Sequence, residues 1–300
     1  MLQRLVWFLI LGLIPRLHAQ LLLRQFGTPA VDTAASVAVD NGGIYIAGTT
    51  EGTFPGESGS GGIDGFVRKY DRAGNLLWTR QLGTPLTDKV QSVASDATGV
   101  YIAGYTDSVL PGQSGSGQRD IFLRKYDPNG VVLWTRQFGS SSWDYGESVA
   151  AGPSGVYVAG WTTGALPGQI ASGSGDAYVR KYDIHGNVVW TRQFHAFGGQ
   201  TFAGDVALDA SGIYVGGTTL GTFPGYAPRA GDHDAYVRKF NFDGDHLWTR
   251  QWGTTENETC RIAVGGDGVY LAGTTLEGAI QPVPKPTFLR KYNGNGELLW

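Results

Sequence analysis

Three aspartates stand at the same place in a repeated pattern, because Asp32, Asp88 and Asp144 follow one another at intervals of 56 residues. Carboxylates that converge near a channel mouth can bind Ca²⁺, and two carboxylates that flank a glycosidic bond can hydrolyse it. Nothing distinguishes one aspartate from the others, and an Asp in a loop ordinarily accepts backbone N–H hydrogen bonds. We therefore predict that they fix their loops, with Ca²⁺ binding and catalysis as alternatives. Asn257 holds the same register in the last copy of the pattern.

A second group of candidate residues departs from the repeated pattern. The segments at 140–146 (SSSWDYG) and 195–204 (HAFGGQTFAG) add aromatic residues, and a tryptophan precedes 254–258 (TTENE). Exposed aromatic rings beside polar side chains suit sugars, whose C–H faces stack while their hydroxyls form hydrogen bonds. The alternative is that these rings only cover the bases of their loops. The predicted ligand-binding residues are Trp143, Asp144, Tyr145, His195, Phe197 and Trp252.

The histidines and the single cysteine form no metal-binding motif. The five histidines show no HExxH or paired spacing. Cys260 is the only cysteine, so an intrachain disulfide is excluded and a cysteine-based zinc site is disfavoured. We predict no cofactor, with Ca²⁺ at the aspartates as the one alternative.

The composition indicates a folded, β-rich protein. The 300 residues include 47 Gly, 41% hydrophobic and only 16% charged residues, which provides apolar side chains for a core. The formal net charge of −3 argues against a partner bound mainly through phosphates, so we expect no nucleic-acid partner.

Internal repeats dominate the sequence. The tetrapeptide Trp-Thr-Arg-Gln recurs at spacings of 56, 56 and 58 residues. In the second copy, alternation and turn residues predict four strands, A to D, at Ser92–Ser95, Val100–Thr106, Ile121–Tyr126 and Val131–Phe138. Antiparallel four-stranded units without helices favour a β-propeller. The recurring tryptophans are predicted to dock one blade on the next: Trp78, Trp134, Trp190 and Trp248.

The two ends of the sequence look like halves of one blade. Residues 21–27 (LLLRQFG) match strand D, and Leu298 to Trp300 begin another strand D. We predict five blades in one domain, residues 20–300, with the N-terminal strand closing the last blade. The alternative is a piece of a longer array of repeats. Residues 1–19, with an apolar run at 5–15, are predicted to be a signal peptide, with an uncleaved membrane anchor as the alternative.

The repeat itself resembles a known family. The unit that runs from Asp120 to Gly139 and continues from Ser148 to Thr162 resembles the bacterial SBBP β-propeller repeat, and the match extends from Leu21 to Trp300. The resemblance implies an exported or cell-surface protein with no established catalytic activity. The family name implies seven blades, whereas this chain has five copies. Strands C and D are also similar to the tryptophan-docking motif of quinoprotein propellers.

Together these features predict an exported, non-catalytic binding module that is secreted, periplasmic or on the cell surface. Its ligand, a carbohydrate or a protein, is expected on the face that carries the B–C and D–A loops. An extracellular enzyme acting on polysaccharide and a passive structural envelope protein are the alternatives. No membrane span is expected after cleavage of the leader.

Overall fold

The chain forms five antiparallel β-sheets in sequence order. The computed structural model describes residues 24–226, 233–254, 257–276 and 287–300, so the predicted leader lies outside the described residues. Four sheets have four strands and the fifth has three, and within each sheet the strands pair in chain order. The predicted all-β propeller of four-stranded antiparallel blades is confirmed.

The strands follow the same A-to-D order in every sheet. Sheet 1 contains β1 (Asp32–Asp40), β2 (Gly43–Thr50), β3 (Asp64–Tyr70) and β4 (Leu76–Leu82). Sheet 2 contains β5 (Asp88–Asp96), β6 (Gly99–Thr106), β7 (Asp120–Tyr126) and β8 (Val132–Phe138). Sheet 3 contains β9 (Asp144–Gly152), β10 (Gly155–Thr162), β11 (Asp176–Tyr182) and β12 (Val188–Phe194). Sheet 4 contains β13 (Thr201–Asp209), β14 (Gly212–Thr219), β15 (Asp234–Phe240) and β16 (His246–Trp252). Sheet 5 contains β17 (Asn257–Gly265), β18 (Gly268–Leu276) and β19 (Thr287–Tyr292).

Strand A is longer than the sequence predicts. In sheet 2 it begins at Asp88 rather than Ser92, because a shift of register between Val90 and Ser92 lets pairing with β6 continue towards the loop. Such a bulge adds one residue to one strand and breaks the alternation on which sequence prediction depends.

The C–D connections are the tight turns that the sequence predicts. In sheet 2, the Asp127 carboxylate accepts hydrogen bonds from the backbone N–H groups of Asn129 and Val131, at 2.9 and 2.8 Å. Gly130 has a φ of +80°, and a Cβ there would lie 2.9 Å from the Trp78 ring of the preceding sheet. Glycine is therefore required both by the backbone conformation and by the close approach of the neighbouring blade.

The hydrophobic core lies between successive sheets. Tyr45, Ala47 and Val67 of sheet 1 pack with Val90 and Val93 of sheet 2 in one buried cluster, and equivalent clusters join the following sheets. Each sheet therefore buries a face against its neighbour, as propeller blades do.

Hydrogen bonds hold each blade to the next at the C–D turns. Trp78 Nε1 and Lys69 Nζ both donate to the Pro128 carbonyl, at 3.1 and 2.9 Å, and Arg80 Nε donates to the Gly130 carbonyl at 2.7 Å. The other three recurring tryptophans make the same contact at 3.1–3.2 Å: Trp134 with Ile184, Trp190 with Phe242, and Trp248 with Gly294. The indole N–H, which requires a partner when its ring packs between blades, finds one at each of these junctions.

The predicted closure of the fifth sheet by the N-terminal strand is not seen in the described residues. Of the predicted strand at 21–27, residues 21–23 lie outside them and residues 24–27 form no strand. Among the described residues, sheet 5 consists of β17, β18 and β19. Phe26 instead packs on Phe66 and Tyr70 of sheet 1, both at 6.0 Å between ring centroids. Phe138 makes the same contacts with Tyr178 and Tyr182 of sheet 3. The segment thus occupies the strand D position next to sheet 1, while the outer faces of sheets 1 and 5 stay exposed. The five described blades form an open arc.

Candidate functional site

One face of the arc collects the irregular loops. Strands A and C begin there and strands B and D end there, so the B–C and D–A loops share this face. We call it the upper face, and the face with the C–D turns the lower face.

A cluster of aromatic rings around one arginine occupies the upper face of sheets 2 to 4. It combines the end of strand B, the B–C loop, the D–A loop and the start of strand A from three successive blades. We call this cluster the aromatic patch, and its members are Tyr105, Arg119, Trp143, Tyr145, Trp161 and Phe202.

Arg119 lies at the centre of three aromatic rings. Its guanidinium carbon is 4.3 Å from the ring centroid of Tyr105, 4.9 Å from that of Trp143 and 4.8 Å from that of Tyr145. Its Nε and Nη2 atoms donate to the two carboxylate oxygens of Asp107 at 2.6 and 3.1 Å. Burial lowers the pKa of Arg119, but the hydrogen bond and charge of Asp107 outweigh it and raise that pKa. The Arg119 guanidinium is therefore a cation held in place by three aromatic rings and one carboxylate.

The remaining rings continue the patch around the inner strands. Tyr145 and Trp161 are cross-strand partners in β9 and β10, and their rings stack at 3.9 Å with an interplanar angle of 11°. Tyr105 meets Tyr145 edge to face at 5.2 Å, and Phe202 of β13 meets Trp161 edge to face at 5.0 Å. Trp143 is the most exposed ring, with 39% of its surface accessible. The patch thus offers a rigid stack with one open aromatic face.

Polar side chains lie beside the patch on the same inner strands. Lys89 of β5 is the cross-strand partner of Tyr105. Further along the strands, Gln91 donates from Nε2 to Glu147 Oε2 at 3.1 Å. Hydrogen-bonding groups are therefore available close to the aromatic rings.

The fold does not require these aromatic residues. The cross-strand pair equivalent to Tyr145 and Trp161 is Thr33 and Thr49 in sheet 1, and Thr259 and Thr274 in sheet 5. Threonine satisfies the same backbone pairing without rings, so the patch is a local addition to the repeat.

The predicted ring aspartates hold the D–A loops. Asp88 accepts from the N–H and hydroxyl of Thr84 at 2.5 and 2.7 Å, and Asp144 accepts from the N–H and hydroxyl of Ser140 at 2.6 and 3.0 Å. Both are fully buried. Burial raises the pKa of each carboxyl, and the charges of Asp64 and Asp120 raise it further. Asp144 is thus buried under the aromatic patch, and its hydrogen bonds with Ser140 fix the D–A loop that carries Trp143.

The outer copies of this aspartate position differ from the two central ones. Asp32 accepts from the Thr28 N–H at 2.6 Å, and although partial burial raises its pKa, hydrogen bonds from Thr50 and Thr28 lower it overall. In sheet 5 it is Glu258, not Asn257, that accepts from Thr254 Oγ1, at 2.6 Å. Glu258 pairs with Thr275 as Asp32 pairs with Thr50, which corrects the predicted register by one residue.

Three further predicted ligand-binding residues lie outside the aromatic patch. Trp252 is only 6% exposed and packs on Phe288 and Tyr292 of sheet 5, so a ligand on the surface cannot stack on it. His195 lies 3.8 Å from Asp176 through Nδ1, and its ring contacts Phe197 at 6.1 Å. Phe197 is 68% exposed on its own D–A loop. Of the six predicted residues, the structure brings Trp143 and Tyr145 together around Arg119.

Sequence reasoning missed Tyr105, Arg119 and Trp161. A signal was present, because Tyr105 and Trp161 stand where sheets 1, 4 and 5 have Thr49, Thr218 and Thr274, near the end of strand B. Arg119 carried no comparable signal, because it lies in a B–C loop that varies between copies.

Neither a metal cluster nor a membrane helix is found in the described part of the chain. Within these ranges no three His, Cys, Asp or Glu side chains are placed to hold a metal ion. The same residues contain no helix of the length and hydropathy that a bilayer span requires.

Comparison with known proteins agrees with this architecture. Residues 77–111 match the family model of the SBBP β-propeller repeat. The chain contains the SBBP repeat. The WD40 domain of Neurospora crassa Pan2 has a similar fold, with a TM-score of 0.50 and 13% identity over 89% of this chain and 65% of that one.

Two curated relatives are much longer than the region they share with this chain. The chain is 32% identical over 233 residues to the regulatory protein FlaEY of Caulobacter vibrioides, covering 72% of this chain and 24% of that protein. It is 26% identical over 155 residues to an uncharacterized WD repeat-containing protein of Acanthamoeba polyphaga mimivirus, covering 42% of this chain and 11% of that protein. The chain is a β-propeller repeat protein similar to part of a regulatory protein, and it spans about a quarter or less of these relatives.

Proposed function

We propose that this chain is an exported, non-catalytic binding module whose aromatic patch binds a carbohydrate. The observation that carries the proposal is that the patch is an addition to the repeat, built where the fold needs only threonine. Side chains that folding does not require, gathered from three blades onto one surface, are best explained by a ligand.

The chemistry of the patch suits a sugar. The exposed face of Trp143 offers a flat apolar surface to the C–H face of a pyranose ring. The Arg119–Asp107 pair beside it offers charged donors and acceptors to hydroxyl groups, and Lys89 and Gln91 add further polar groups. Because Arg119 is held by three rings and a carboxylate, little conformational entropy is lost on binding.

The carboxylates of the upper face favour binding over hydrolysis. A glycosidase needs two carboxyl groups that reach the scissile bond. Asp88 and Asp144 are instead buried and occupied by hydrogen bonds from their own loops. Their role is to hold the D–A loops, and through them Trp143 and Tyr145.

A protein ligand is the second candidate. It is favoured by the similarity over 233 residues to a regulatory protein, FlaEY. A Trp- and Arg-centred surface also has the composition of interface hot spots. A passive structural role in the envelope, which the sequence leaves as an alternative, would not explain the aromatic patch.

Binding of the chain without its first 19 residues to a broad glycan array tests the proposal. Trp143→Ala and Arg119→Lys are the test variants. Phe197→Ala separates the patch from the second exposed aromatic loop. Ile170→Ala is the matched control, because Ile170 is the most exposed large apolar side chain among the described residues and lies on the B–C loop of sheet 3.

The expected result is specific glycan binding by the unaltered chain. Its affinity should fall at least about tenfold in Trp143→Ala, because one stacked ring is lost. Binding should persist in Ile170→Ala. Binding that is lost only in Phe197→Ala would move the site to the 195–204 loop. No glycan binding by the folded chain would refute the carbohydrate ligand and leave a protein ligand as the better explanation.

A further inference from the structure

Two buried carboxylates lie side by side at three of the four junctions between successive sheets. At every junction, an N–H at the start of strand A donates to the carbonyl that precedes strand C of the preceding sheet. Asp144 donates in this way to Arg119 at 3.1 Å, and Asp88 donates to Ile63 at 2.7 Å. This bond brings the first side chain of strand C next to that of strand A. We call each such couple of acids an acid pair: Asp64 with Asp88, Asp120 with Asp144, and Asp234 with Glu258.

No side chain separates the two carboxylates of an acid pair, because the residue that follows strand D between them is glycine. The point that a Cβ of Gly139 would occupy lies within 2.5 Å of both Asp120 Oδ1 and Asp144 Oδ2. Gly253 stands between the two acids of the last pair in the same way. Two carboxylates this close in a buried site repel each other strongly when both are charged.

One oxygen of the strand C acid lacks a hydrogen-bond donor. Asp120 Oδ2 accepts from the Ser116 N–H and from Gln137 Nε2, both at 2.8 Å. The other oxygen, Oδ1, faces Asp144 and accepts no hydrogen bond from any described residue, and Asp64 Oδ1 is in the same situation. Asp120 and Asp64 are each only 2% exposed, so bulk water cannot supply the missing donor. A buried oxygen without a partner is costly, and a shared proton would remove that cost.

The junction between sheets 3 and 4 has no acid pair, and its sequence differs at two places together. Thr201 stands at the start of strand A, where the preceding junction has Asp144. The glycine after strand D is replaced by His195, whose Nδ1 lies 3.8 Å from Asp176 Oδ1. That oxygen also accepts a hydrogen bond from the Ser172 hydroxyl. Where the second carboxylate is missing, an imidazole therefore occupies the place that glycine leaves open elsewhere.

We propose that each acid pair binds one proton, which its two carboxyl groups share in a hydrogen bond between strand C of one blade and strand A of the next. In the second pair the proton lies between Asp120 Oδ1 and Asp144. It gives the unpartnered oxygen its hydrogen bond and removes one of the two negative charges. The proton belongs to the pair and not to either residue. At the junction without a pair, His195 is the group that can carry positive charge beside the strand C acid.

The groups around the second pair leave a proton as its counter-charge. Burial raises the pKa of Asp144, and the charge of Asp120 raises it further. Tyr178 of β11 also faces Asp144, and burial raises its pKa well above the ordinary value, so this phenol is neutral. The other charged side chains on the neighbouring elements have partners of their own: Arg119 with Asp107, Glu147 with Gln91, and Lys89 opposite Tyr105.

A metal ion fits an acid pair less well than a proton does. Ca²⁺ takes about six to eight oxygen ligands, and no three His, Cys, Asp or Glu side chains of the described residues are placed to hold a metal ion. Space is also lacking, because even a single Cβ at Gly139 would lie within 2.5 Å of both carboxylates. A proton needs neither further ligands nor a cavity.

The shared protons make these junctions sensitive to pH. An unfolded chain loses them near the ordinary pKa of Asp, about 4, whereas the folded pairs, whose members Asp88 and Asp144 have raised pKa values, keep them to higher pH. The stabilisation is therefore complete below about pH 4 and is lost as pH rises through the raised pKa. Above that pKa both carboxylates are charged, and their repulsion weakens the link between one blade and the next.

Infrared difference spectroscopy of the full chain tests the proposal, because a protonated carboxyl has a C=O stretching band that a carboxylate lacks. At about pH 6, carboxyl groups with an ordinary pKa are almost fully ionised, and the folded chain should still show this band. The band should decrease in Asp144→Asn and in Asp88→Asn, because each amide replaces a shared proton. Asp176→Asn is the matched control, because it changes a strand C acid that has no second carboxylate, and it should leave the band unchanged.

The dependence of stability on pH gives a second readout. Release of one proton on unfolding raises the equilibrium constant of unfolding about tenfold per pH unit. Asp144→Asn should remove one such tenfold step per pH unit between about pH 4 and the pKa of the pair. Thr201→Asp combined with His195→Gly should build a fourth pair and therefore strengthen the infrared band. Circular dichroism checks the fold of each variant, and the band of the unaltered chain tests the proposal without any substitution.

Three results would overturn the proposal. The first is a folded, unaltered chain without the protonated-carboxyl band at about pH 6. The second is a band that neither Asp144→Asn nor Asp88→Asn reduces. The third is a rise of Tm in Ca²⁺ that Asp144→Asn abolishes, which would assign the pair to a cation. None of these readouts involves a glycan, so failure here is distinct from failure of the proposed binding function.

Discussion

Replacing Gln137 by methionine should destabilise the protein strongly, because one amide side chain ties together strand D, strand C and the B–C loop. Gln137 Nε2 donates to Asp120 Oδ2 and to the Ser108 carbonyl, both at 2.8 Å, while its Oε1 accepts from the Leu110 N–H at 2.8 Å. Methionine has a similar length and shape but forms none of these bonds. Gln81 and Gln193 make the same three contacts in their own blades, so the arrangement belongs to the repeat.

The expected loss follows from the groups left behind. A buried donor or acceptor that loses its partner costs about 1–3 kcal/mol, and here a backbone N–H and a carbonyl are both affected. The Asp120 carboxylate keeps its bond from the Ser116 N–H at 2.8 Å. Because Gln137 is only partly buried, water can replace part of the loss, and we expect a decrease of about 2–4 kcal/mol in the free energy of unfolding.

Urea unfolding and thermal melting followed by circular dichroism measure this loss. A decrease of that size should lower Tm by about 3–7 °C in a protein of this length. Gln118→Met is the control, because Gln118 is exposed in the B–C loop of the same sheet and should change stability by less than about 0.5 kcal/mol. Equal effects of the two substitutions would refute the reasoning that the side-chain amide network stabilises the blade.

Three other predictions use the same stability measurements or a simple chemical probe. Gly139→Ala should lower the free energy of unfolding by about 1–3 kcal/mol, because the new Cβ would lie 2.5 Å from Asp144 Oδ2. Gly266→Ala is the control and should lower it far less, because nothing lies within 4 Å of a Cβ there. Equal losses would contradict this prediction. Burial raises the pKa of Asp88, so its contribution to the free energy of unfolding should fall as pH rises through that pKa. Asp88→Asn should flatten this part of the curve of stability against pH. An unchanged curve would contradict the prediction. Burial raises the pKa of the Cys260 thiol to about 12, so iodoacetamide at pH 8 should alkylate it only after unfolding, and rapid alkylation of the native chain would contradict it.

The repeat made the strands and turns predictable from the sequence. Alternation and turn residues placed β6, β7 and β8 to within a residue at each end. Local chemistry fixes such elements, because Asp127 and Gly130 determine their turn whatever the neighbouring blade does. The bulge in strand A was not predictable, because it depends on how β5 pairs with β6.

The candidate site was predictable only in part, and the errors have physical causes. Trp252 lies where Leu82 and Phe138 lie in other copies, a position that faces the next blade, so an aromatic residue there becomes core. Trp143 and Tyr145 were found because they interrupt the repeat. Arg119 was not found, because its meeting with those rings depends on a contact between two blades that the sequence does not encode locally.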